Sequence, residues 1–335
     1  MLFAQNENSR LIDARDLETN DLVRNTYYCP ACASEVILKN GLKRVTHFAH
    51  KRMNTCSAFS EGETEEHLEL KRLFSRWFVL ELEKYIPTLK QRPDGLIENQ
   101  LALEIQCSPL SAKRFIERTK GYQTVGLPVW WIVGSRFFRK NTYSQLTYLA
   151  SGFDRCRGIY FWQVDWERRI LTLVYQVREN FTKPKSFMKK NWKFNQNTWQ
   201  EIFYYQPLQL KESSTEDKNE KYLEIKSGKL YLQKKLFYRK KQLLIVQEKC
   251  YLNKMNLNDL PRWMYLESAF YYFFKENIWW YRILYSKNKH YPLGKRYVVW
   301  LNMIGKVIWD FPLVSKKEIF YLFYQECMEL EKRCT

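Results

Sequence analysis

Apolar residues recur at helical spacing from Leu70 through Leu73, Trp77 and Leu80, behind a Ser60-Glu61-Gly62-Glu63 segment that has the form of a capping box. The pattern predicts a helix running to about Lys84. Glu66 extends its apolar stripe at the first turn, while His67 lies on a flank with Lys71 and Phe74. The period then shortens to two. Leu101-Ala102-Leu103-Glu104-Ile105-Gln106 reads as a strand, and the polar Glu98-Asn99-Gln100 before it predicts a hairpin folded about Asn99. Ser108-Pro109-Leu110-Ser111 breaks that strand and opens a second helix with Phe115, Arg118 and Tyr122 on related faces. Pro128-Val129-Trp130-Trp131-Ile132-Val133 follows as a buried strand. Strand, helix and strand in this order predict a right-handed crossover and hence a mixed α/β sheet. Ile159–Trp162 and Ile170–Val174 predict a further pair at the sheet edge.

The segment ahead of the first helix has different chemistry. Tyr27-Tyr28-Cys29-Pro30-Ala31-Cys32 leads through a Lys39-Asn40-Gly41 turn to Thr46-His47-Phe48-Ala49-His50 and then Cys56. A two-residue spacing lets one turn present both thiolates to a tetrahedral ion, so the pattern predicts a small zinc-ribbon-like β module. If residues 47–50 form a strand, His47 and His50 face opposite sides. The expected ligands of a structural Zn²⁺ are therefore Cys29, Cys32, His50 and Cys56, with His47 as a substitute.

Charge divides the chain. Residues 181–335 hold 29 Lys and Arg against 15 Asp and Glu, or +14 of the total +19, leaving +5 for residues 1–180. Such an excess points to a polyanionic partner, nucleic acid or an acidic membrane surface. No apolar run approaches the ~20 residues needed to span a bilayer, and the amino terminus has no secretory-signal pattern, so the expected location is cytoplasmic. The expected organisation is a module over residues 1–58, an α/β domain over 59–180, and a basic, aromatic-rich, mainly helical domain over 181–335. Pro184-Lys185-Ser186 is the candidate linker, and the polar residues 211–218 read as a mobile loop. In the last domain, Tyr231–Lys241 and Tyr271–Lys275 interleave cations with rings, as a stacking platform for single strands does. Rings at helical spacing equally suit a core.

A hairpin about Asn99 also sets Asp94 opposite Glu104, with Cβ atoms ~5 Å apart. A buried Glu between Leu103 and Ile105 costs several kcal/mol unless a cation answers it, whereas on a solvated strand the pair would form ordinary salt bridges. Two such carboxylates suit a Mg²⁺ or Mn²⁺ ion that activates water for phosphodiester hydrolysis.

A helix bearing Glu66-His67, then Pro93-Asp94, then Glu104-Ile105-Gln106, then a helix with Arg118 and Tyr122 resembles a PD-(D/E)XK nuclease core. With Cys29-x-x-Cys32 and His47-Phe48-Ala49-His50 ahead of it, the first half of the chain more closely resembles the competence protein CoiA family. The resemblance implies a restriction-endonuclease-like sheet and action on internalised DNA, expected single-stranded, during natural transformation. The recombinase and its loader are the partners expected with it. It implies Asp94 and Glu104 as metal ligands, Gln106 at the usual lysine position, Glu66 or His67 as a helix ligand, and Arg118 with Tyr122 as auxiliaries. An amide at Gln106 positions water but carries no charge, and Lys71 is the candidate to supply the cation from the helix. A non-catalytic single-strand-binding platform that recruits the recombinase, and a sequence-specific endonuclease, are the alternative readings.

Overall fold

The computed structural model describes residues 3–17, 25–30, 32–41, 44–51, 64–137, 143–182, 185–208, 218–304, 307 and 309–334. Near the amino terminus, β1 (Phe3–Gln5), β2 (Leu11–Asp13), β3 (Tyr27–Tyr28), β4 (Glu35–Gly41) and β5 (Arg44–His50) form an antiparallel sheet in the order β2-β1-β3-β4-β5. Ala4, Tyr27, Val36 and Phe48 fill its small core. The turn expected at residues 39–41 falls later, because Gly41 still pairs with Arg44. Phe48 and His50 share one face of β5 and His47 the other, as period-2 alternation requires.

Helix α1 (Glu65–Trp77) is capped by the Thr64 hydroxyl, which accepts from the His67 amide at 3.3 Å. The capping box expected at residues 60–63 lies outside the described residues. The helix stops at Trp77, short of Lys84. Phe78 is extended, and Leu80-Glu81-Leu82 becomes β6 (Leu80–Leu82), antiparallel to β7 (Gly95–Ile97). Leu80 fits both the helical stripe and the strand alternation, and sheet pairing decides between them.

β7 and β8 (Leu101–Gln106) fold about Asn99 as expected, with Ile97 opposite Leu101 and Gly95 opposite Leu103. Glu98 and Asn99 turn the corner in the left-handed region, at φ 48 and 57. Helix α2 (Ala112–Thr124), capped by Ser111, leads to β9 (Val129–Val133), which runs parallel to β8 with Trp131 beside Glu104. Leu103 and Ile105 face the α1 side with Leu70, Phe74, Trp130 and Ile132. Trp131 and Val133 face Phe115 of α2 and the short helix α3 (Gln145–Leu149). Helix, three antiparallel strands, helix and parallel strand make the restriction-endonuclease-like core.

Beyond α3, β10 (Gly152–Asp154) pairs with β11 (Gly158–Asp165), and β12 (Ile170–Arg178) and β13 (Ser186–Lys193) complete the sheet. Among the described residues it has eight strands, ordered β13-β12-β11-β9-β8-β7-β6 with β10 on β11. β11 and β12 are interior, not edge, strands, because each is paired on both sides, β11 between β9 and β12 and β12 between β11 and β13. Trp162 and Leu173 pack into the core around α1, and Ile159, Phe161 and Val174 pack against the C-terminal helices. The edge belongs to β13, which begins at Ser186 where a linker was expected, and whose lysines keep an open edge soluble.

Helix α4 (Trp199–Phe203) buries Trp199 and Ile202 in the core around α1. After it come α5 (Lys218–Phe237), α6 (Lys241–Leu252), α7 (Tyr271–Phe274), α8 (Asn277–Lys287), α9 (Leu293–Ile304) and α10 (Lys316–Cys334). Residues 211–217 of the expected polar loop lie outside the described residues, and Lys218 already belongs to α5. Tyr271, Tyr272, Phe273 and Phe274 are buried, which removes them from any stacking surface and makes them core. No helix among the described residues is long and apolar enough to cross a membrane.

Candidate active site

Asp94 stands one residue before β7, and continuing the hairpin register places it opposite Glu104. Its carboxylate is tied on every side. Oδ2 accepts from the Ile105 amide at 2.7 Å and lies 3.0 Å from Nε2 of His67, while Oδ1 lies 3.1 Å from Nζ of Lys71. His67 and Lys71 are four apart on α1, so one helix face delivers both. Burial alone raises the Asp94 pKa, but the His67 and Lys71 charges and the hydrogen bonds outweigh it and hold the group well below the usual carboxylate range.

Glu104 meets the opposite set. Arg118, on the α2 face beside β8, donates to its Oε1 through Nε at 3.1 Å and through Nη2, and the Tyr122 hydroxyl donates to the same oxygen at 2.5 Å. All hydrogen bonds that Glu104 makes among the described residues fall on Oε1, leaving Oε2 with none. Burial raises the Glu104 pKa, Asp94 adds to the rise, and Arg118 and Tyr122 oppose it. Adjacent carboxylates with pKa values pushed apart are a recurring sign of divided roles.

The remaining expected residues sit around this pair. Glu66 caps the end of β9, its Oε1 accepting from the Ser135 amide at 2.8 Å and from the Ser135 hydroxyl at 2.5 Å. Gln106 turns its amide to the Ser108 carbonyl at 2.8 Å. Lys71 is 2% exposed and shared between Asp94 and Glu83, whose Oε1 is 2.9 Å away. Four residues that the sequence had not marked, Glu83, Arg92, Cys107 and Ser135, join the site. Arg92 lies 3.4 Å from the other Glu83 oxygen. Arg118 donates to the Arg92 carbonyl at 3.1 Å, so a chain of polar contacts joins one carboxylate to the other. Cys107 lies in the same region, and burial with the charges of Glu66 and Asp94 pushes its thiol pKa up. For Glu83 no local signal was available, because alternation along Leu80-Glu81-Leu82 would place it with the exposed Glu81, and it is the left-handed turn at Glu83 that brings it inside.

The donor set suits a hard cation. Asp94 stays ionised, and Glu104 keeps one oxygen without a hydrogen bond, both being ligands that Mg²⁺ and Mn²⁺ prefer. Among the described residues, no third acidic or imidazole side chain joins those two at ligand spacing. The group that does gather is Cys29, Cys32 and His50, whose donor atoms lie within 4.8 Å of one another. Cys32 Sγ and His50 Nε2 are 3.3 Å apart. The turn that presents the thiolates is closed by Ala33 N donating to the Cys29 carbonyl at 2.9 Å and Cys29 N donating to Ser34 O at 2.8 Å. Cys56, the expected fourth ligand, lies outside the described residues, and His47 is not part of the cluster.

Residues 63–209 match the nuclease-like domain of competence protein CoiA, and residues 12–59 match the CoiA N-terminal domain. Competence protein CoiA of Bacillus subtilis (strain 168) is 35% identical over 154 residues, which is 44% of this chain and 39% of that protein. The matched part thus spans about two fifths of the relative's length. No solved structure gives a significant match.

Proposed function

We infer, from a chain that belongs to the competence protein CoiA family, that its mixed-sheet domain is a Mg²⁺- or Mn²⁺-dependent deoxyribonuclease acting on internalised single-stranded DNA during natural transformation, and so promotes recombination. The observation that carries this reading is the buried cation at the carboxylate: Lys71 Nζ stands 3.1 Å from Asp94 Oδ1, which compensates for the uncharged Gln106.

Asp94 and Oε2 of Glu104 would hold the metal. When bound, the ion supplies activation of a water and stabilisation of charge developing on the scissile phosphate. Asp94 is kept ionised by His67 and Lys71, and its orientation is set by the Ile105 amide. Lys71 is held by Glu83 and Asp94 together, so its ammonium does not need to be ordered when a phosphate arrives. Arg118 and Tyr122 fix the Glu104 carboxylate through one oxygen and leave the other to face a ligand. In the amino-terminal module, Cys29, Cys32 and His50, with Cys56 as the expected fourth ligand, would hold a structural Zn²⁺ in a closed site that supports folding.

A second reading is favoured by a specific observation. The same pairing of Arg118 with Glu104, with Gln106 turned to Ser108, would suit a nuclease fold that binds single strands without cutting them and recruits the recombinase or its loader. Strand cleavage with added Mg²⁺ or Mn²⁺ separates the two. The hydrolytic reading requires cleavage by the wild type that Asp94→Ala and Glu104→Ala each abolish. Binding that is unchanged across all three, with no cleavage by any, supports the platform.

A further inference from the structure

We propose that the α5–α6 helical hairpin carries a binding site for single-stranded nucleic acid at its tip, built from Phe237 and Tyr238 and the cations around them. None of these residues belongs to the carboxylate cluster on the mixed sheet. The ligand class is shared with the functional reading above, while the site itself does not depend on cleavage.

The hairpin is anchored from one side only. Leu232 of α5 and Leu243, Val246 and Cys250 of α6 are buried in the C-terminal core. The turn between the helices is closed by Tyr238 N donating to Lys234 O at 3.1 Å, Arg239 N to Leu236 O at 2.9 Å and Lys240 N to Lys235 O at 3.2 Å. Arg239 takes the left-handed conformation, φ 48, that this kind of helix end uses. The backbone of the tip is therefore fixed by its own hydrogen bonds, and the rings that point outward are not spare core. Phe237 is 81% exposed and Tyr238 61%, and their rings meet edge to face with centroids 5.4 Å apart. Two rings this open and in mutual contact form a contiguous apolar patch, the kind of exposed surface that marks an interaction site when charge rims it.

Charge selects the occupant. Over residues 221–254 the exposed cations are Lys226, Lys234, Arg239, Lys240, Lys241, Lys249 and Lys254, and the exposed acid is Glu248. None of those cations forms an ion pair with a described residue. A surface with cations and rings and almost no acids complements a polyanion whose bases have free faces. A single strand offers both, because its bases stack on rings while lysines track the phosphates. A duplex hides those faces in its own stack, and a second copy of this chain would bring like charge against like charge.

The test is fluorescence anisotropy of a labelled oligothymidylate with the full chain and no added divalent cation, over a salt series. Phe237→Ala with Tyr238→Ala is expected to weaken binding by roughly tenfold or more at unchanged salt slope. Arg239→Glu with Lys240→Glu is expected to reduce the slope of log affinity against log salt by about 0.7 for each phosphate no longer neutralised. Both pairs are exposed, so the thermal midpoint should not move. Wild-type binding by both variants overturns the proposal, as does a shift from dimer to monomer in light scattering, which would assign the face to a second copy. If wild type and Asp94→Ala both leave the strand uncut while the tip variants lose binding, the tip proposal stands and the hydrolytic reading fails. If the wild type cuts and the tip variants bind like it, the reverse holds.

Discussion

Lys71 and Glu83, one on a helix and one just past a short strand, form a buried ion pair at 2.9 Å that holds the Lys71 ammonium against Asp94. Glu83 sits in the left-handed region, at φ 52, and its amide donates to the Asp94 carbonyl at 3.2 Å. A non-glycine residue keeps such a backbone only where its surroundings over-determine it. Here two buried cations, Lys71 and Arg92, supply that determination.

Removing the shared cation should therefore be costly. Lys71→Met leaves Asp94 and Glu83 buried without it, and urea unfolding should show a loss of about 3–5 kcal/mol. Adding Glu83→Gln to Lys71→Met should cost much less than the sum of the two single changes, because both act on one pair. Additive losses would mean that the pair is not a unit.

Gln106 should matter less than Lys71. With its amide committed to Ser108, Gln106→Ala should leave strand cleavage within a few-fold of wild type, whereas Lys71→Met abolishes it. Gln106→Lys is informative in both directions: activation of an inert wild type would locate the missing cation at 106, and no change in an active one would mean that Lys71 suffices.

Gly134 marks a close approach beside the site. A Cβ there would lie 2.8 Å from Cys107 Sγ and 2.9 Å from Glu66 Oε1. Gly134→Ala is expected to lower stability by about 1–3 kcal/mol, and Cys107→Ala in the same chain should recover part of it. At Gly126 an added Cβ would meet nothing within 4 Å, but φ is +68, so Gly126→Ala tests backbone strain without a clash.

Zinc should be countable. One Zn²⁺ per chain is expected by metal analysis of the wild type and of His47→Ala, and Cys29→Ser or His50→Ala should lose it. Chelation should unfold the amino-terminal module and leave the mixed sheet folded, as followed by limited proteolysis.

Acid should weaken the junction between sheet and C-terminal helices through Glu179. Burial alone raises its pKa, but the Lys275 charge, hydrogen bonds from Lys275 and Tyr148, and the Lys185 charge hold it below the usual range. A lowered folded value stabilises above the unfolded pKa, and that contribution disappears as pH falls through the folded one. Glu179→Gln should flatten the acid limb of the stability curve relative to wild type. An unchanged limb would assign the acid sensitivity elsewhere.

Much of the site could be read from the residues alone. Period-2 alternation and one polar turn placed Asp94 opposite Glu104, and the alternation of His47 and His50 left room for only one of them beside the cysteines, which is His50. What local pattern lacks is tertiary pairing. Leu80 fits a helix until β7 arrives to pair with it, and the strands of Ile159 and Ile170 look like a sheet edge until β9 pairs on one side and β13 on the other. The strand Ser186–Lys193, which begins at the last residue of the expected linker, has no apolar stripe to announce it, because an edge strand carries charge instead. Buried ions other than Lys71 were the least legible, since Glu83 and Arg92 look solvated until they are seen to pair beside it. The chain-wide abundance of aromatics hid a division of labour, with Tyr271–Phe274 inside and Phe237 and Tyr238 outside.

The most direct test of the central claim is a crystal soaked in Mn²⁺ and measured at the manganese absorption edge. The account expects an anomalous peak bonded to the Asp94 carboxylate and to Oε2 of Glu104, with Arg118 still on Oε1 and Lys71 beside the ion. An Asp94–Glu104 pair that stays closed on His67, Lys71 and Arg118 with no peak, at metal concentrations that support cleavage, would contradict it.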